Sequence, residues 1–554
     1  MIGIFTDEER QERQMRKRFL GLIALVVLIT TFMLTGCNSS RPGAPEVRNS
    51  LGSQVKKDEL VLALGSEPEA GFDPTTGWGR YGSPLFQSTL LKRDDQFNIV
   101  NDLAASYEVS PEGNVWTVKI RDDVKFSDGQ PLTAADVVFT FETAASNGSI
   151  VDLNSLRKVE VLDDYTVRFT LQEPQSTFVN TLIGTGIVPK HAYDKDYAVN
   201  PIGSGPYQLV QWDKGQQLIV QANPHYYDRQ PYFKKLTFLF LNEDASLAAA
   251  RAGTVDLAYI PAAFSHQKVT GMRLESIGTV DNRGIVFPYV NSGGVTKDGL
   301  PIGNDVTADP AIRHAINMGV DRQALVDGVL EGQGTPAYTS VDGLPWWNPD
   351  TVIHDDDLEG ARKLLEAAGW KDTDRDGILE KGSLKAEFTL YYLASDAIRQ
   401  SLAISVADMM KPLGINIKLA GGSWDIISKN MYSNPVLMGW GSHDPHEMYS
   451  IYSSETAGID YYNTGYYSNK TVDEYFEQAL RAKTEEEAIE FWKKSQWDGT
   501  TGLSAKGDAA WAWLVNINHL YLVKDGLDIG DQRIHVHGHG WPATDNIVDW
   551  KWAK

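Results

Sequence analysis

The chain has 554 residues, a formal net charge of −22 and a single cysteine; 42% of its residues are apolar and 22% charged. That length exceeds what one hydrophobic core holds, so at least two lobes are expected, and the acidity excludes nucleic acid and anionic lipid as electrostatic partners while weakly favouring a cationic ligand. One thiol excludes an internal disulfide framework and leaves stability to burial, to which 15 Trp, 23 Tyr and 19 Phe contribute.

The first element is a leader. Arg16-Lys17-Arg18 precedes an apolar run from Phe19 to Leu34, which ends in Leu34-Thr35-Gly36-Cys37. A charged n-region, a short apolar h-region and a small-residue junction form a secretory signal. The Leu-Thr-Gly-Cys junction resembles the bacterial lipobox, which implies cleavage before Cys37 and a lipid on its new N-terminus. Residues 1–36 are therefore expected to be a lipoprotein signal peptide, with 37–56, rich in Ser, Gly and Pro, as a flexible tether. An uncut signal anchor is the alternative. Met15 is the better start codon, because Asp7, Glu8, Glu9 and Glu12 are unusual in an n-region. No other apolar run reaches the ~20 residues that cross a bilayer. The expected location is extracytoplasmic, lipid-anchored to the outer face of the cell membrane, on the periplasmic side if the host has an outer membrane.

Downstream, ELVLALG from Glu59 reads as a buried strand that opens the folded body. Val115 to Phe126 alternates apolar and polar residues around Arg121-Asp122-Asp123, which predicts a hairpin with Trp116 and Phe126 in its core. Thr133 stands three residues before Asp136 and just ahead of VVFTF, which starts a helix. Strand-like segments recur at Val159 to Leu171, Tyr207 to Ala222 and Leu236 to Leu241. After Ile285 the pattern changes to alternating helices and strands: helices through Ala311 to Met318, Asp321 to Leu330, Leu358 to Ala368 and Ile398 to Met410, strands at Glu387 to Leu393 and Ile415 to Leu419. This half reads as an α/β lobe. From about Asn516 the strand-like run VNINHLYLV returns the chain to the first lobe. The expected domains are 57–285, lobe one; 286–515, lobe two; and 516–554, the return, so that the chain crosses the hinge twice and forms a clamp.

Asn101 to Thr140 reads NDLAASYEVSPEGNVWTVKIRDDVKFSDGQPLTAADVVFT. This stretch resembles the signature of the large extracytoplasmic solute-binding proteins that feed ABC importers for peptides and nickel. The resemblance extends through Gly203-Ser204-Gly205-Pro206-Tyr207, Asn223-Pro224-His225-Tyr226-Tyr227, ADPAIRHAINMGVDRQALV from Ala308 and ARKLLEAAGW from Ala361. It implies a two-lobed periplasmic-binding-protein clamp of mixed β-sheets and flanking helices, with an extra subdomain in lobe one and a pocket between the lobes. It further implies permease transmembrane subunits as partners, a monomer, and capture without catalysis or a catalytic cofactor. The signature itself is structural: Asp128-Gly129 is a tight turn, and Thr133 with Asp136 caps a helix.

The cargo is read from three stretches. In the peptide-binding branch an aspartate before the second-lobe Asp-Pro holds the peptide amine; here, aligned on Asp444-Pro445, Trp440 stands in its place. The run from Trp440 to Pro445 is closer to that of nickel-binding relatives, with Trp440 matching their pocket tryptophan and His443 near their pocket tyrosine. One residue is missing before Asp444, and no arginine occurs in Ala144 to Ser149, where the best-known nickel binder clamps chelator carboxylates. Arg80 is the substitute, flanked by Trp78 and Tyr81 for stacking on a chelate, with an ordinary exposed loop as the alternative. His535, His537 and His539 alternate, so an extended chain projects all three to one face as candidate metal ligands; hydrogen-bonded histidines in a glycine-rich turn are the competing account. The sequence reading thus favours Ni2+ cargo, free or as a small chelate, then oligopeptide or dipeptide, and remotely an extracytoplasmic hydrolase. His446-Glu447 fails the metalloprotease pattern because Ser450 replaces the second histidine. Asp372-Thr373-Asp374-Arg375-Asp376-Gly377 resembles the front of a calcium loop, but Ser383 stands at its twelfth position, which implies a weak site or a solvated turn.

Overall fold

The computed structural model describes residues 58–553 apart from 66, 69, 83, 148–150 and 539. The leader, Cys37, the tether, Gly148-Ser149 and His539 lie outside the described residues. No helix among the described residues is long and apolar enough to cross a membrane.

Two large sheets organise the chain. The first has seven strands, in the order Met272–Ile277, His519–Lys524, Leu257–Ile260, Glu59–Ala63, Lys235–Leu239, Gln217–Ala222 and Tyr207–Asp213. Glu59–Ala63 pairs parallel with both neighbours, so both of its edges are inside the sheet, and Leu60 and Leu62 are buried. That placement explains its near-continuous apolar run. The second sheet orders six strands as Gly334–Pro336, Trp511–Ile517, Asn282–Val286, Val436–Met438, Glu387–Leu393 and Asn416–Gly422. A separate four-stranded antiparallel sheet, Ala104–Val109, Val115–Ile120, Thr166–Leu171 and Leu156–Asp163, forms the subdomain of lobe one and packs on helix Ala134–Asn147.

The sheets correct two sequence expectations. Val115–Ile120 pairs with Ala104–Val109 and Thr166–Leu171, not with residues 124–126. Lys125 instead bridges Pro131 around the Asp128-Gly129 turn, where Gly129 has φ +86°. Trp116 and Phe126 are still both buried in the subdomain core, so the alternation reported burial correctly and pairing wrongly. The lobe boundaries also shift by a few residues. Asn282–Val286 is already a strand of the second sheet and Trp511–Ile517 remains in it, which puts the crossings at 278–281 and 518 rather than at 285 and 515.

Helix starts follow the capping chemistry read from sequence. Asp136 Oδ2 accepts from Thr133 N at 2.9 Å and from Thr133 Oγ1 at 3.0 Å, which ties the first turn of Ala134–Asn147 to the residue before it. Asp309 caps Pro310–Gly319 through Ala311 N at 2.9 Å, and its other oxygen accepts from Lys381 Nζ at 2.7 Å and Trp370 Nε1 at 3.1 Å. The side chain thus joins a cap to a loop and to a buried tryptophan. Asp309→Ala is expected to destabilise the fold by about 1–2 kcal/mol, measured as a lower urea midpoint at unchanged slope.

Candidate functional site

The two sheets are joined where residues 278–282, 517–519 and 533–537 run past one another. Thr279 Oγ1 donates to Ile517 O at 2.6 Å, Ile517 N to Asp281 O at 2.9 Å, Val280 N to His535 O at 2.9 Å and His537 N to Gly441 O at 2.8 Å. At the centre is Asp281, 6% exposed. Burial alone would raise its carboxyl, but Arg283, whose Nη1 is 2.5 Å away, and His537 hold it well below the usual carboxylate range. His537 Nδ1 bonds the same carboxylate, and His519 Nε2 lies 3.6 Å from its second oxygen.

This arrangement decides the fate of the predicted metal ligands. His535 is 1% exposed, with Nδ1 3.1 Å from His519 Nδ1 and Nε2 3.1 Å from Gln532 Oε1. Burial, then His519, pushes its pKa well below the ordinary histidine value, so it is neutral. His535 and His537 are each held by protein partners, and among the described residues no third acid, histidine or cysteine joins them at metal-binding spacing. Among the described residues the one set of acidic, histidine or cysteine groups spaced to hold a metal is Asp372, Asp374, Asp376 and Glu380. His539 lies outside the described residues.

Beside the crossing, a cavity of about 350 Å³ lies mainly in lobe one and is closed on its far side by Ser442, His443 and Asp444 of lobe two. Eight aspartates and four Lys or Arg side chains line it, so its field favours cations. The lobes touch along this edge. Asn180 Nδ2 donates to Asp444 Oδ1 at 3.0 Å, Ser176 N to Leu480 O at 2.7 Å, and buried Arg93 reaches Glu485 at 2.9 Å. His443 lies in the wall, its Nε2 2.9 Å from Ile534 O and its ring 4.8 Å from that of Phe97; burial drives its pKa down to about 3, which keeps it neutral.

Three of the other four sequence candidates come together and one does not. Trp78 turns into the lobe-one core, donating its indole N–H to Pro84 O at 2.6 Å and packing on Phe72 and Trp541 at 4.9 and 5.4 Å. That correction follows from the aromatic cluster behind it, which buries a large ring at more gain than a wetted cleft provides. Arg80 and Tyr81 face the second lobe. Arg80 Nη2 donates to Tyr81 Oη at 2.7 Å, and its guanidinium lies 4.7 Å from the centre of that ring. Opposite them Trp440 stacks on Tyr462 at 5.7 Å, and its buried indole N–H has no hydrogen-bond partner.

Glu447 completes this group. It sits in the first turn of helix His446–Tyr452 and accepts from Gly441 N at 3.3 Å and Ser442 N at 3.2 Å. Burial raises its carboxyl to about 7, against the lowering by those two N–H groups and by Arg80. The same carboxylate, with Arg80 and Tyr462, also acts on Tyr81, whose hydroxyl burial pushes up. Sequence reasoning passed over Glu447 and Tyr462; the available signal was an acid in the turn after Asp444-Pro445, considered only for a protease pattern it failed.

The family model described as bacterial extracellular solute-binding proteins, family 5 Middle, matches residues 98–461. Protein XP55 of Streptomyces lividans is 32% identical over 493 residues, covering 86% of this chain and 87% of that protein. The oligopeptide-binding protein AppA of Bacillus subtilis is 28% identical over 498 residues, covering 84% and 88%. Among solved structures, NikZ from Campylobacter jejuni in complex with Ni(L-His) superposes with a TM-score of 0.73 at 25% identity, covering 90% of this chain and all of that one.

Two outcomes follow from the buried carboxylates. Asp281→Ala leaves Arg283 buried without its counter-charge and is expected to cost about 3–5 kcal/mol, read as a large fall in melting temperature. Glu447 behaves oppositely with pH. Its folded pKa, about 7, lies above the ordinary 4.5, so the folded state holds the proton more tightly. Its contribution is fully present below pH 4.5 and is lost as pH rises through 7. Glu447→Gln is expected to match wild type near pH 4.5 and to exceed it by about 3 kcal/mol at pH 8, measured by urea unfolding at both values.

Proposed function

Because the chain belongs to the bacterial extracellular solute-binding proteins of family 5, the substrate-binding components of ABC importers, we propose that its cleft captures a ligand bearing a cationic amino group, foremost a short peptide, for delivery to a membrane permease. Glu447 carries this reading. A half-buried carboxylate whose proton is held up to about 7 lacks a full counter-charge, and a ligand ammonium supplies one. It restores the acid that the sequence seemed to lack at Trp440, from one helical turn beyond Asp444-Pro445. The likeness to an oligopeptide-binding protein supports the same ligand class, as does the acidic lining of the neighbouring cavity, to which Arg80 but not Glu447 contributes.

Arg80 and Tyr81 come from lobe one, Trp440, Glu447 and Tyr462 from lobe two, so a ligand between them is bound fully only when the lobes are together. Its differential affinity for that arrangement then sets the closed population that the permease receives. Capture and release need no covalent chemistry. In this proposal the protein acts as a monomer, tethered at the outer membrane face through lipid on Cys37.

A nickel chelate is the second reading. It rests on the partnerless indole N–H of Trp440, which stacks on the Tyr462 that Arg80 acts on, indole and guanidinium being two donors suited to chelator carboxylates, and on the likeness to NikZ bound to Ni(L-His). Capture of the free ion by His535 and His537 loses support, since each imidazole is already held by a protein group.

Calorimetric titration of tripeptides with free and with acetylated N-termini, and of Ni(L-His), separates these readings. Free-amine peptides are expected to bind wild type, and Glu447→Gln to weaken them at least about tenfold, or about 1.4 kcal/mol, without changing acetylated ones. Saturable Ni(L-His) binding with no peptide heat would replace the peptide reading by the chelate one.

A further inference from the structure

The loop from Asp372 to Glu380 lies far in sequence from every cleft residue and is held in place at both ends. Lys371 and Glu380 exchange backbone hydrogen bonds at 2.9 and 2.8 Å, and Trp370 just before the loop is buried. Within it each carboxylate uses an oxygen on the chain. Asp372 takes Arg375 N on Oδ1 at 2.7 Å and Gly377 N on Oδ2 at 3.2 Å, Asp374 Oδ1 takes Asp376 N at 3.1 Å, Asp376 Oδ1 takes Ile378 N at 2.9 Å, and Glu380 Oε2 takes Thr373 N and Oγ1 at 2.8 and 2.7 Å. The second oxygens of Asp374, Asp376 and Glu380 point at one ammonium: Lys385 Nζ is 3.0 Å from Asp374 Oδ2 and 3.7 Å from Glu380 Oε1, and it contacts Asp376 Oδ2.

Glu380 distinguishes this cluster from an ordinary acidic turn. Its side chain is 7% exposed, and Oε1 is buried with no hydrogen-bond partner, aimed at the space Lys385 occupies. A buried carboxylate oxygen without a donor is costly, and the Lys385 ammonium, 3.7 Å from it, stands beyond hydrogen-bond distance. One oxygen from each of the four acids lies within 4.8 Å of the others, about twice a calcium–oxygen bond of ~2.4 Å, so a single calcium ion reaches them all. Asp372, Asp374, Asp376 and Glu380 fall at loop positions of a calcium-binding turn, and Gly377, with φ +88°, provides its reversal.

We propose that this loop is a calcium site in which the Lys385 ammonium is the resident competitor, displaced when Ca2+ binds Asp372, Asp374, Asp376 and Glu380. Lys385 is 41% exposed, so its ammonium can leave for water without disturbing the core. The competition makes the wild-type site weak. Mg2+, which demands a tight octahedron and gives up water reluctantly, is a poorer occupant of a four-carboxylate loop.

The test is calorimetric titration of CaCl2 into the EDTA-treated, dialysed full chain in mild detergent, with melting temperature followed in parallel. Lys385→Met is expected to tighten Ca2+ binding at least about tenfold and to make the melting temperature more calcium-dependent than in wild type. Asp376→Asn in the Lys385→Met background, which keeps the turn's side-chain size, is expected to weaken it by at least as much. Absence of saturable Ca2+ binding in Lys385→Met, binding indifferent to Asp376→Asn, or an equal response to Mg2+ would each overturn the proposal, and the first would leave a turn neutralised by its own lysine. Because the loop contains no cleft residue, peptide binding without calcium binding refutes the loop alone, and the converse refutes the cleft reading alone.

Discussion

The buried charge of Asp281 is the constraint on which the rest of the molecule turns. Its carboxylate is paired with Arg283 and His537 and faces His519, groups from three stretches of chain that meet where the two sheets join. A charge in this position is tolerable only with its partners in place, so the ionic knot specifies how residues 278–282, 517–519 and 533–537 lie together. The geometry of the clamp depends on it: Asn282 N donates to Trp440 O and the Asn282 side chain accepts from Trp440 N, so the knot's immediate neighbour positions the tryptophan of the ligand group.

The proposed ligand group is divided between lobes by the same topology. Arg80 and Tyr81 follow the first strand of lobe one, whereas Trp440, Glu447 and Tyr462 follow the second sheet's strand Val436–Met438. Each half is incomplete alone, and each holds a group that gains from a ligand: a guanidinium over an aromatic ring on one side, a high-pKa carboxylate and a partnerless indole on the other. A binding protein that must release its cargo benefits from this division, because opening the lobes separates the contacts in one motion.

Particular residues show how far the amino-acid pattern could be read. Thr133 with Asp136 announced its helix start correctly, and the cap at Asp309 is of the same local kind, because a cap is satisfied within three residues. The hairpin drawn through Arg121 to Asp123 failed because alternation reports which face is buried and not which strand lies alongside. The period-two argument said nothing of what His535 and His537 would meet: His537 bonds Asp281, 256 residues away in the chain, and His535 pairs with His519, 16 residues away. The raised pKa of Glu447, though not its position after Asp444-Pro445, was unreadable for a related reason. Its pKa comes from burial, and burial of a polar residue is not encoded by its neighbours in the chain.

By itself, then, the sequence determined the family, the α/β texture and the local elements that announce themselves by alternation or by a cap, since these depend on interactions within a few residues or on composition; the helices Glu243–Arg251, Lys470–Arg481 and Glu485–Gln496 were not read from it. Tertiary structure decided the rest. It turned Trp78 into core, made structural links of two histidines, brought Arg80 and Tyr81 to Glu447, and set Lys385 among four carboxylates. The physical reason is common to all four: the energy of a charge or an aromatic ring is set by the groups that surround it in space, and those groups arrive from distant parts of the chain.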